Sequence, residues 1–161
     1  MKLALLIAVV ISTGAIAFAQ SNSTPSTIPM SNIAKGTFEV KVTMLKDEDI
    51  AAADGIGRIA LAKTYIGDLS GTSKGQMLGS SDAAQTIGGY VAMESFTGTL
   101  AGKKGTFVLQ HFGTMNSGKY ELNVQIVPGS GTGELNGISG TLKIVIAGGK
   151  HSYELNYSLP K

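Results

Sequence analysis

The sequence predicts an all-β protein, and three observations carry that reading. Apolar and polar residues alternate strictly over several segments of the chain. Glycines interrupt those segments about every eight to twelve residues, which is the spacing of meander turns and not of helices. One segment alone, Lys46 to Asp54, is compatible with a helix, and it is short. A period of two sends successive side chains to opposite faces, so each alternating segment reads as a half-buried strand.

The elements follow in order. In FEVKVTM, Phe38, Val40, Val42 and Met44 form one face, and Glu39, Lys41 and Thr43 form the other. KDEDIAAAD comes next and carries Asp47, Glu48, Asp49 and Asp54 without the spacing of a calcium loop, so it reads as a solvated turn. GTLAGKKGTFVL, from Gly98 to Leu109, and GELNGISGTLKI, from Gly133 to Ile144, share the pattern G-x-L-x-G-x-x-G-T. GDLSGTSKG, from Gly67 to Gly75, is a looser copy. These repeats read as hairpins, with glycine supplying the positive φ of tight turns and the bends of barrel corners. YELNVQIV alternates Tyr120, Leu122, Val124 and Ile126 with polar residues, and TLKIVI adds Leu142, Ile144 and Ile146. SYELNYSL closes the series with Tyr153, Leu155, Tyr157 and Leu159 on one face. The hairpins amount to roughly eight strands, a number that closes into a barrel filled by side chains or holding one small ligand. The expected architecture is an eight-stranded antiparallel meander β-barrel.

The N-terminus predicts export. Lys2 precedes an unbroken apolar stretch from Leu3 to Ile11, and Ala17-Phe18-Ala19 supplies the small-x-small pattern cleaved by signal peptidase. The apolar stretch is short for a membrane span of roughly 20 residues. Residues 1–19 therefore read as a signal peptide, residues 20–34 as a disordered polar lead-in, and residues 35–161 as one barrel domain. The mature protein is expected in the periplasm or secreted, with no stable membrane insertion after cleavage. No cysteine is present, so neither a lipid anchor on cysteine nor a disulfide is available. The thirteen Lys and Arg lose Lys2 with the signal and face eleven acids, leaving a nearly neutral chain with no basic run. Nucleic acid is not an expected partner.

Catalytic motifs are scarce. Gly71 to Gly75 satisfies G-x-S-x-G, but the nucleophile elbow needs a helix after it and QMLGSSD has no helical period. GSGTGELNG lacks the helix N-terminus that would bind an anion. A metal site needs three or four converging ligands, and His111 and His151 are the two histidines, so no metal and no cofactor are expected. His151, in GGKHSY, reads as a surface or turn residue.

The polar candidates sit in the hairpin YVAMESF to TFVLQHF. An even loop, such as a two-residue turn around Gly102, sets Tyr90, Ala92, Glu94 and Phe96 on one face with Phe107, Leu109 and His111. Glu94 and His111 then become diagonal neighbours roughly 7–8 Å apart; an odd loop would separate them. On a lumen face they would be a polar fixture for a ligand, a proton-transfer pair tuned towards neutrality, or a mutually satisfied buried pair. Tyr90, Tyr153 and Tyr157 are further candidates for lining the lumen.

Read together, GDLSGTSKGQML, GYVAMESFTGTLAGKKGTFVLQHFGTM, VPGSGTGELNGISGTL and GGKHSYELNYSLP resemble the bacterial domain-of-unknown-function family numbered 3224. The resemblance covers Gly36 to Pro160. It implies a barrel similar to that of allene oxide cyclase, which is lipocalin-like, and it transfers no activity. The signal peptide departs from the family's usual pattern.

Two function classes are carried forward. One is an uncharacterised exported module binding a small apolar or amphipathic ligand in the barrel. The other is a cyclase- or isomerase-like enzyme using Glu94 and His111, although the missing catalytic signatures weigh against an enzyme. A ligand-free structural or interaction domain is the third reading. Val91, Met93, Val108 and Phe112 make the outer faces of two adjacent strands apolar, and a homo-oligomer is the expected cover.

Overall fold

The protein is described here by a computed structural model covering residues 31–45 and 55–160. The expected signal peptide, the expected lead-in up to residue 30 and the segment KDEDIAAAD lie outside the described residues. Eight strands form a closed antiparallel barrel in sequential order. They are β1 (Asn32–Met44), β2 (Gly57–Gly67), β3 (Leu69–Ser81), β4 (Ile87–Leu100), β5 (Lys103–Asn116), β6 (Lys119–Ile126), β7 (Ser139–Ala147) and β8 (Lys150–Ser158). A 3-10 turn at Gly133–Leu135 interrupts the β6–β7 connection. β1 begins at Asn32 and Ala34 is buried, so the last three residues of the expected lead-in belong to the barrel.

Tight turns set the register. Ala101 and Gly102 both have positive φ (47° and 82°) and join Leu100 to its partner Lys103. A two-residue turn of this hand matches the right-handed twist of the strands it connects. Ser117-Gly118 and Gly148-Gly149 repeat the device between β5 and β6 and between β7 and β8. The even loop at Gly102 pairs Ala92 with His111 and Glu94 with Leu109, so of the two loop parities left open by the sequence the structure has the one that puts Glu94 and His111 on one face. The repeat GELNGISGTLKI is not a hairpin. Its first half is the 3-10 turn and its second half starts β7, because Leu135 and Ile138 turn inward and are fully buried.

These two side chains plug one end of the barrel. Beyond Ile126 the chain runs on beside β5: the Val127 N–H donates to Val108 O (2.9 Å) and the Thr132 N–H to Thr106 O (2.9 Å). At that end Leu69, Phe96, Leu100, Phe107, Leu109, Leu142 and Leu155 are buried in one continuous core. Each such side chain contributes about 1.5–3 kcal/mol through burial. The opposite end differs. Val42, Met44, Tyr120, Leu122 and Ile146 share the inward-facing parity of their strands and yet are exposed. Among the described residues the barrel is thus packed at one end and open at the other.

On the outside, Val91, Met93 and Phe112 are exposed as the alternation implied, and Leu78 joins them. Leu78 pairs with Val91 and Val91 with Phe112, so the apolar surface crosses three strands without a break. Val108 is half-buried, where the β6–β7 connection bonds along β5.

Candidate functional site

Between the packed end and the open end lies a layer of buried polar side chains. Glu94 points inward from β4 and is completely buried. Its partner on β3 is Gly75, where a Cβ would stand 3.2 Å from the Glu94 Cβ and 2.5 Å from Met93 O. Glycine at that position clears a path across β3, and the carboxylate reaches β2. Oε1 accepts hydrogen bonds from the Tyr65 hydroxyl (2.7 Å) and the Ser73 hydroxyl (2.5 Å). Oε2 accepts one from the Lys63 ammonium (2.6 Å). Lys63 and Tyr65 are two residues apart on β2 and share its inner face, while Ser73 is the register partner of Lys63. The Lys63 ammonium also stands 4.8 Å from the centre of the Phe38 ring, an added cation–π contact.

His111 completes the layer. Its Nε2 lies 3.0 Å from Glu94 Oε2, in ion-pair range. The nitrogen is not aligned for a hydrogen bond, however, and it is the one buried side-chain polar atom among the described residues that has no hydrogen-bond partner. The two side chains are in close contact without an aligned hydrogen bond.

The electrostatics follow from these contacts. Burial by itself would raise the Glu94 pKa. The contacts with His111, Lys63 and Ser73 outweigh it and hold the carboxyl at about 2, against an ordinary 4.5. The expectation of a pair tuned towards neutrality fails for Glu94, because the neighbouring cation and donors all favour its charged form. Burial, and then the Glu94 charge, push the Tyr65 hydroxyl well above the ordinary tyrosine range, so it stays a neutral donor. A carboxylate with three donors that is ionised far below neutral pH is an anchor for its neighbours and a weak proton acceptor.

The tyrosines expected in the lumen divide by height. Tyr90 is half-buried on the open side of the layer, and its ring lies over Gly113, its partner on β5, where a Cβ would come within 2.5 Å of it. Burial, and then Glu94, raise its hydroxyl pKa. Tyr153 is on the packed side. Its hydroxyl accepts from the Leu69 N–H (2.8 Å) and donates towards Lys35 O (3.2 Å), which ties β8 to β1 and to the start of β3. Tyr157 is buried in the same core. His151 is half-buried at the open end and packs its ring 5.1 Å from that of Phe38.

Lys63, Tyr65 and Ser73 are the residues sequence reasoning missed. The signal was a lysine in the inner row Ile59, Leu61, Lys63, Tyr65 of IALAKTYIG. Ser73 is the serine of the Gly71–Gly75 stretch; it lies within β3 with no helix after it and donates to a carboxylate.

Above this layer the lumen is hollow. One cavity of about 410 Å³ is lined by Met44, Ile59, Met77, Tyr90, Met115 and Tyr120 among others. A second, of about 960 Å³, lies between β6 and β7 and shares Tyr90 and Tyr120 with the first.

Comparison with known proteins agrees with the barrel. The model of a family described as "Protein of unknown function (DUF3224)" matches residues 34–157. The chain is 40% identical to a Shewanella oneidensis MR-1 protein of unknown function from the same family, whose crystal structure was determined at 1.84 Å resolution. That similarity covers 82% of this chain and 100% of the other, with a TM-score of 0.73. No curated protein matches the chain. A family match over residues 34–157 and a 40% identical barrel lead to one conclusion: the chain belongs to the DUF3224 family of proteins of unknown function.

Proposed function

We propose that the protein is an exported barrel that binds a small apolar or amphipathic ligand in the open half of its lumen. The observation that carries this reading is the exposure of inward-facing apolar side chains at one end. Met44 and Ile146 are each 65% exposed around cavities of about 410 and 960 Å³. A side chain left so forgoes about 1.5–3 kcal/mol of burial, and ligand pockets are typically about 300–1,000 Å³ and largely apolar. The export half of the reading rests on the N-terminal signal pattern.

The test is titration with the neutral fluorophore N-phenyl-1-naphthylamine, together with mass spectrometry of the natively purified protein. Saturable blue-shifted emission that is lost in a Leu122→Glu/Ile144→Glu variant is expected. No emission change with the folded wild-type protein would refute the reading and favour a ligand-free interaction domain.

A cyclase- or isomerase-like enzyme of the allene oxide cyclase type is the second reading. The unpartnered His111 Nε2 beside Glu94 favours it. The saturation of the Glu94 carboxylate by three donors weighs against it.

A further inference from the structure

We infer that the ligand enters the barrel sideways, through a split seam between β6 and β7, and keeps its polar end at that seam. This inference rests on the ligand reading above. The two strands are regular on their outer sides. β6 pairs with β5 from Leu109↔Ile126 to Asn116↔Lys119, and β7 pairs with β8 from Ser139↔Ser158 to Ala147↔Lys150. Between them the ladder holds the single pair Gln125↔Thr141. The same register carried towards the open end would set Asn123 against Lys143 and Leu122 against Ile144. Those pairs do not form, and the cavity of about 960 Å³ occupies the split instead.

The walls of this slot are sorted by chemistry. Leu122, Val124, Leu142 and Ile144 face the lumen, whereas Asn123 and Lys143 stand at the outer lip. The strand edges along the split take part in no ladder, so backbone donors and acceptors are available there. Deeper in, no polar atom of the layer is open to a guest: Glu94 is buried and already accepts from Lys63, Tyr65 and Ser73, and His111 Nε2, which has no hydrogen bond, is itself buried against Glu94 Oε2. A guest with one polar end is therefore oriented with its apolar body towards Val124 and Leu142 and its polar end at the lip. The ligand class this selects is an elongated apolar molecule with a single terminal hydrogen-bonding group.

The test closes the seam. The chain has no cysteine, so Asn123→Cys/Lys143→Cys supplies its two thiols. Opposed positions of a zipped antiparallel pair are about 4.5–5.5 Å apart between Cα atoms, within the span of a disulfide. Where thiol counting shows no disulfide, a short bis-maleimide replaces it as the staple. Uptake of N-phenyl-1-naphthylamine is followed by stopped-flow fluorescence. The stapled protein is expected to associate at least about tenfold more slowly than the same double variant without its staple. Association of the stapled protein at the unstapled variant's rate would overturn the lateral route and leave the ligand reading standing. Absence of binding in both wild type and unstapled variant would remove the ligand reading, and the route with it.

Discussion

Replacing Glu94 by Gln isolates the energetic role of the buried layer. The folded protein holds this carboxyl at about 2, and an unfolded glutamate titrates near 4.5. A folded pKa below the unfolded one stabilises the fold at pH values above 4.5, and that contribution is lost as pH falls from about 4.5 to about 2. The difference corresponds to about 3 kcal/mol at neutral pH. The assay is urea unfolding followed by circular dichroism at pH 7 and at pH 2.5, for wild type and Glu94→Gln. Wild type is expected to lose about 2–3 kcal/mol more than the variant between the two conditions, because other carboxylates titrate equally in both. Lys63→Met separates charge from shape: it leaves Glu94 without its cation and is expected to cost about 3–5 kcal/mol at pH 7. Parallel acid profiles for wild type and Glu94→Gln would refute the argument, since the carboxylate would then gain nothing from its neighbours.

Tyr153→Phe removes the acceptor of the buried Leu69 N–H and is expected to cost about 1–3 kcal/mol in urea unfolding. Ligand binding should be unaffected, since this hydroxyl lies in the packed half. On the outer face, we propose that a second copy of the chain covers Leu78, Val91, Met93 and Phe112. Light scattering at micromolar concentration is expected to show a dimer or trimer that Phe112→Glu dissociates, and a wild-type monomer would end that proposal.

Much of the barrel was legible because its strands obey a strict period of two and its turns use the residues their backbone requires. Whether Glu94 and His111 share a face hung on one quantity the sequence left open, the parity of the loop that the structure shows as Ala101-Gly102. Lys63 escaped because Ala60 and Ala62 weaken the contrast between the two faces of β2, and lysine is ordinarily an exposed residue. The second glycine repeat misled because G-x-x-G-T marks a change of direction without stating whether a hairpin or a plug follows. Leu135 and Ile138 made it a plug. The split seam left no trace in composition, since β6 alternates cleanly, β7 does so as far as Ile144, and the gap belongs to their relation alone.

The pairing of β1 with β8 has a consequence for the order in which the molecule can be made. β1 is synthesised before the other seven described strands and bonds to β2, yet its other edge waits for Lys150–Ser158, the last of them. Until those nine residues emerge, the open edges of β1 and β7 both offer unpaired backbone to any passing strand. A chain that stops before Lys150 is therefore expected to be rescued by no amount of correct hairpin formation. Pairing of β8 with β1 acts as the latch that turns a sticky curved sheet into a barrel.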